Sequence, residues 1–371
     1  MADRTQVRSQ GVSDGAAVLS ALHGAYERGW QPADLLHITR RSLSAPEARL
    51  AVWAILHDAR LSHAPARASR AWCEQLTSIA AMPGVDTPAE SGPLHRTALS
   101  YLWRHLPRLP AECAPPSRWP RRRAEAEQVW AARVDAQVAG RVRGLLAKAE
   151  RSDYPEEAET LTAKAQELLS SHALGVAVTR AHTRGQLRIE VQSRRVHLDN
   201  PYLKEKAQLL SEIGRANGVR TVWFSKLAMA TTVGTPLALA QVELLYASLS
   251  AQASRAMREA SRHRTSPSST AFRRAFLYGF AVRVGERLRQ ADRRASDSVM
   301  AEGRITVADA LPTLARQSAA VDAELTLLFP AVREIRSRPI DSAGWFANPV
   351  AASHATLAGE TRWSSEALIS A

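Results

Sequence analysis

Apolar residues recur at intervals of three and four along most of this chain and alternate only briefly, between residues 187 and 234. Residues 13–63 read as three helices. The first takes Ser13 or Asp14 as N-cap and stops at Gly29. The second starts at Pro32, and the third opens with Ser44 and Glu47 at capping-box spacing. The apolar face of the third is predicted at Leu50, Trp53, Ala54 and Leu61, widened by Ile55 and Leu56. Helical signal resumes at 66–80 and 94–106, on either side of a turn-rich loop at 81–93. Residues 107–123, PRLPAECAPPSRWPRRR, are dense in Pro and Arg and predict a linker.

A long helix is expected over 124–151, with Val134, Val138, Val142, Leu145, Leu146 and Ala149 at helical spacing. SDYPEE breaks it. A second helix follows over 155–172, with Ala158, Leu161, Ala165, Leu168 and Leu169 on one face and Glu156, Glu157 and Glu159 favouring its N-terminal dipole. So short a gap between two amphipathic helices predicts an antiparallel hairpin. The period then changes. Leu187, Ile189 and Val191 alternate with Arg188, Glu190 and Gln192, as in a strand. A helix over 199–218 is capped by Asp199 or Asn200 and ended by Gly218. VRTVWF and KLAMATTVG predict a β-pair joined around Ser225 and Lys226. Helices are expected at 235–263, 271–303 and 316–328, and irregular chain after 330, with room for a short helix at 350–357.

The expected fold is α+β and predominantly helical. An N-terminal helical domain (1–106) leads through the linker (107–123) to the hairpin (124–174). A C-terminal α+β domain (185–330) then packs a small sheet of about three strands on long helices, and a largely irregular tail (331–371) closes the chain.

Composition narrows the class. With 371 residues, 45% hydrophobic and 23% charged, the chain is ordinary globular material. No apolar run reaches the roughly 20 residues of a membrane helix, and the polar N-terminus lacks a signal-peptide core, so a cytoplasmic protein without a membrane partner is expected. Cys73 and Cys113 are expected to be free thiols. Formal net charge is +13. Residues 124–200 are neutral, whereas the excess gathers before 124 and again at 251–294, where Arg dominates. Arg and Ala richness is also what a high-GC coding bias produces, so an incidental charge competes with an acidic partner, DNA or RNA.

Several chemistries have no motif. There is no His-Glu-x-x-His, and His57 and His63 do not share a helical face, so no metal is expected. Phosphate-cradling Gly-x-x-x-x-Gly-Lys, Gly-x-Gly-x-x-Gly and Gly-x-Ser-x-Gly patterns are missing, and no cofactor is implied. Whether the chain is an enzyme stays open: a hydrolase or nuclease site assembled from distant segments, with Asp199, Glu243 and His197 as examples, is one alternative. In the hairpin, Glu157, Lys164 and His172 lie about 10–12 Å apart along the axis, too far for direct proton exchange, which favours packing.

One stretch is more specific. Arg141-Val142, Leu145-Leu146-Ala147-Lys148-Ala149, Glu157-Ala158, Lys164-Ala165-Gln166-Glu167-Leu168-Leu169 and a closing His172 resemble the signature of a bacterial and phage family, domain of unknown function 2786. NPYLKEKAQLL, VELLYASLSAQA, AFRRAFLYGFAVRVGERL and RGWQPADLL are similar to segments of its actinobacterial members. The resemblance implies the hairpin architecture and no established activity. A link to phage or mobile elements is associational.

The sharpest feature outside the hairpin is the basic region. Arg255, Arg258 and Arg262 would share one helical face, Arg283 and Arg287 another, and Arg273 and Arg274 begin the later helix. If the two helices pair, these seven would track phosphate non-enzymatically and with little sequence selectivity. The competing reading is an Arg-biased solvated face on a structural or partner-binding module. Phe272, Phe276 and Phe280 read as core rather than as base-stacking residues. YERGWQPADLLHITRRSL has the outline of a helix-turn-helix, or of plain three-helix packing. Gly344-Trp345-Phe346 would pin the tail to the body.

Overall fold

The structure is a computed structural model that describes residues 2–83, 92–121, 136–184, 189–262, 269–331, 333–334 and 365–366. It is predominantly helical α+β, and the chain divides into two compact units: Met1–Ala131 with Ile369–Ala371, and Ala132–Leu368.

Among the described residues the first unit holds the helices α1 (Ala2–Glu27), α2 (Pro32–Ser42), α3 (Ala45–Leu61), α4 (Ala64–Arg67), α5 (Arg70–Ala80) and α6 (Pro93–Arg104). α1 begins before the Ser13/Asp14 cap expected from the sequence. Ser44 and Glu47 do form the capping box of α3, and Pro32 stands at the start of α2. Leu22, Trp30, Leu35, Ile55, Ile79, Leu99 and Trp103 are fully enclosed. Trp103 Nε1 donates to Thr39 Oγ1 at 3.0 Å, so the buried indole carries no orphan donor.

Residues 107–120, expected to be linker, are part of this core. Trp30 Nε1 donates to Pro107 O (2.7 Å), and Leu109 N donates to Arg28 O (2.9 Å). Trp119 is buried edge-on against Trp72, centroids 5.3 Å apart, and Arg67 Nε holds Pro120 O (3.1 Å). Gly29 turns with φ +90°, and a Cβ there would meet Leu109 O at 2.2 Å. The prolines make this segment an extended strap whose aromatic and carbonyl groups dock on the helices; Arg122 and Arg123 lie outside the described residues.

The second unit opens with the hairpin, α7 (Ala136–Arg151) and α8 (Pro155–Arg184). α8 runs well past the predicted end at 172. Then come β1 (Gln192–His197), α9 (Leu203–Ala216), β2 (Arg220–Phe224), β3 (Met229–Gly234), α10 (Pro236–Arg262), α11 (Thr270–Ala301) and α12 (Val307–Leu328). β1 lies within the stretch 185–198 that reads as strand-like in the sequence, with Ile189, Glu190 and Val191 outside it. α12 begins at Val307 rather than 316 because Thr306 caps it, its side chain accepting from Asp309 N.

β3 lies between β1 and β2, antiparallel to both, with Val196 opposite Ala230 and Val222 opposite Thr231. All six β3 residues are buried. Two-residue strands β4 (Arg333–Glu334) and β5 (Ser365–Glu366) extend the β2 edge; the rest of the tail, including 344–346, lies outside the described residues.

The core of this unit is built where the hairpin meets α9, α10 and α11. Val142 and Leu146 of α7, and Ala165 and Leu169 of α8, pack with Leu210, Ile213, Leu245 and Leu288. Phe272 and Phe276 are buried and Phe280 is half-buried, as core positions should be.

Candidate functional site

The seven arginines predicted to grip phosphate lie on the expected helices, α10 and α11, but most of them face carboxylates. Arg255 Nη1 donates to Glu150 O at the end of α7 (2.7 Å), and Nη2 pairs with Asp153 in the hairpin turn. It therefore caps a helix C-terminus, where carbonyls lack internal partners. Arg283 and Arg287 converge on a single oxygen of Glu159 in α8, at 3.5 and 2.7 Å. Arg274 faces the largely buried Glu205 at 3.6 Å, and Arg262 pairs with Glu259 one turn back at 3.1 Å. Arg258 and Arg273 are exposed.

The neutral hairpin thus places its acids against the most basic helices of the chain. What reads in sequence as a free cationic strip is largely an intramolecular lattice of ion pairs. Glu159 was visible in the sequence as a helix-dipole residue; its second role was not, because Arg283 and Arg287 lie more than 100 residues away.

The hairpin turn has its own pairing. Glu157 accepts from Ser152 Oγ (2.7 Å) and faces Lys148 (3.3 Å), and these two contacts hold its carboxyl below the usual range. Lys148 therefore pairs with Glu157 across the turn. Lys164 pairs with Glu167 at 2.9 Å.

Behind this lies a buried polar seam. Gln166 Nε2 donates to Ser170 Oγ (2.9 Å) and Asn217 Oδ1 (3.1 Å), and Ser170 Oγ donates to Asp292 Oδ1 (2.6 Å). Burial pushes the Asp292 carboxyl up, against the opposing effects of Ser170 and Arg293. Glu212 is buried, accepts from Gln208 Nε2 (3.0 Å) and pairs with Arg289 Nη1 (2.8 Å). These groups satisfy one another, which is the condition for a buried polar network to fix helix register rather than weaken the core.

Of the groups named for a hydrolytic site, His197 is half-buried at the end of β1. Asp199 and Glu243 are exposed, and Glu243 is held by Arg194 Nη1 at 2.6 Å. Among the described residues no three His, Cys, Asp or Glu side chains come together to hold a metal ion, and no helix is long and apolar enough to cross a membrane.

The first unit distributes charge differently. Among the residues of this unit whose burial is described, the carboxylates are Glu27, Asp34, Glu47, Asp58, Glu74 and Glu112. Three of these are buried and engaged internally. Asp34 accepts from Gln31 N (3.0 Å), Glu47 from Ser44 and from His95 Nδ1 (2.7 Å), and Asp58 faces His23 Nε2 (2.6 Å). Hydrogen bonds from Ser44 and then His95 bring the Glu47 carboxyl down to about 2. Arg40, Arg41, Arg49, Arg60, Arg104 and Arg108 are all exposed. Folding has hidden three of these acids, left Glu27 and Glu74 exposed, and kept these six arginines outside.

Trp53 and Leu61 also depart from expectation. α3 buries Leu50, Ala51, Ala54, Ile55 and Asp58, whereas Trp53 and Leu61 are on the outside. A stripe centred on Leu50 and Ala54 leaves Trp53 one position off the face, although its i, i+3 spacing from Leu50 predicts burial.

By architecture, then, the chain is a helical α+β protein built on an antiparallel hairpin. The model of a family described as "Protein of unknown function (DUF2786)" matches residues 137–175, which takes in nearly all of α7 and the first part of α8 and agrees with the resemblance read from 141–174. No curated protein and no solved structure matches the chain.

Proposed function

We propose that the chain is a non-enzymatic, cytoplasmic protein that associates with DNA or RNA through phosphate, and that its first unit makes the principal contacts. The observation that carries this reading is the segregation of charge there. Asp34, Glu47 and Asp58 are withdrawn into the interior and matched, while six arginines from α2, α3 and α6 and the strap stay in solvent. The exterior of the unit is therefore more cationic than its composition. Exposed guanidinium groups are what releases counterions from a nucleic acid.

The late-helix residues Arg255, Arg262, Arg274, Arg283 and Arg287 contribute less to this proposal than their number suggests, because carboxylates of the same fold face them. Arg258, which is exposed, remains a candidate for secondary contacts. The hydrolase alternative has no observation in its favour.

The test is fluorescence anisotropy of the full chain with labelled 30-mer DNA and RNA at 50 and 200 mM salt. Association with a fall in affinity of tenfold or more between the two conditions is expected. Absence of binding at 50 mM salt to either nucleic acid would reject the proposal.

A further inference from the structure

We propose that the outward face of α3, formed by Arg49, Trp53, His57 and Arg60, is a stacking platform for single-stranded nucleic acid. The inference deepens the nucleic-acid reading above and rests on it. The four positions follow i, i+4, i+8 and i+11, so they fall on one side of the helix, with the two arginines about 16 Å apart along the axis and the aromatic pair between them.

Arg49 and Arg60 are exposed, and Trp53 keeps 39% of its surface open. The indole lies flat on the His57 ring, with centroids 4.9 Å apart and planes 13° from parallel. Arg60 Nε is tied to Leu56 O of its own helix at 3.1 Å. Stacking on His57 restricts the Trp53 side chain while leaving part of its ring in solvent. That is unfavourable for folding alone and favourable for a planar ligand, which then orders nothing when it binds.

Charge selects the ligand. Both carboxylates of α3, Glu47 and Asp58, point inward and are engaged by Ser44 and His95 and by His23. α3 therefore presents no carboxylate of its own outward to repel phosphate. An aromatic plane flanked by guanidinium groups is the arrangement that takes an unpaired base with its backbone on either side. A duplex hides its base faces and offers only the phosphates.

The experiment uses the full chain with fluorescein-labelled dT20, a duplex of the same length and polyglutamate as probes. Trp53→Ala should weaken dT20 binding about tenfold or more with the salt slope unchanged, Trp53→Phe should retain most of the affinity, and duplex binding should be insensitive to both. Arg49→Ala with Arg60→Ala should reduce the salt slope by about 1.4.

If wild type binds dT20 and Trp53→Ala binds it equally well, the platform is wrong while the broader reading stands. If wild type binds neither nucleic acid, both fall. Equal loss of dT20 and polyglutamate affinity in Trp53→Ala would mean a general polyanion or protein surface and would also overturn the platform. Should Trp53→Ala fold poorly by circular dichroism, Trp53→Leu against Trp53→Phe gives the same comparison, since leucine fills space but has no π-face.

Discussion

Glu212 of α9 lies directly against Gly285 of α11: a Cβ on residue 285 would stand 2.4 Å from Glu212 Oε2 and 2.9 Å from its Cβ. The glycine is a notch that admits a buried carboxylate, and the carboxylate is then held by Arg289 and Gln208. Helix contact and ion pair are one feature, because the charge can be buried only where the backbones approach this closely.

Gly285→Ala should therefore destabilise the second unit by about 2 kcal/mol, through overpacking and displacement of the ion pair. In a double-mutant cycle with Glu212→Ala, the two changes should be non-additive, since shortening residue 212 removes the contact with the carboxylate while leaving the 2.9 Å contact with its Cβ. Urea denaturation of the four proteins measures this; additive losses would contradict the notch.

Glu159 bridges two guanidinium groups, and Glu159→Ala leaves both without it. A loss of about 1–2 kcal/mol is expected, reduced from the fully buried case because Arg287 is 40% exposed. Glu159→Gln keeps the shape but not the charge and should lose nearly as much. Thermal melts at low salt are the measurement, and an unchanged melting temperature in both variants would refute the bracing role.

Two carboxylates give opposite pH signatures. The Glu47 carboxyl is depressed from an ordinary value near 4.5 to about 2, so its stabilisation of the first unit is complete above 4.5 and is lost as pH falls toward 2. Glu47→Gln should flatten that acid limb. Asp292 is raised by burial, so the folded state holds its proton longer and stability falls as pH rises from about 3.8 through the folded value. Asp292→Asn can still accept from Ser170 and should leave the protein as stable or more stable at pH 7. A clear loss at pH 7 would mean that the charge itself is needed.

The strap makes a prediction of its own. Trp119 fills a slot against Trp72 and donates to Ala114 O at 2.8 Å. Trp119→Ala should lower the stability of the first unit by about 3–4 kcal/mol and open residues 107–121 to trypsin. A true linker would be cut in wild type and indifferent to the change.

The local rules of helix formation carried far in this chain. Ser44 and Glu47 cap α3, Pro155 opens α8, Gly234-Thr235-Pro236 passes from strand to helix, and the hairpin and the β2–β3 pair lie where periodicity puts them. All of these depend on neighbours within a turn or two, which the order of residues contains. What periodicity left undecided was which partner each side chain meets. Arg283 and Arg287 look like solvent-facing cations until Glu159 arrives from another helix. Trp53 looks like core until α3 turns Leu50, Ala54 and Ile55 inward, and the proline-rich strap looks like a tether until Trp119 finds Trp72. Ion pairing and burial are set by distance in space, and residues more than 100 positions apart in the chain acquire a distance only when the helices pack.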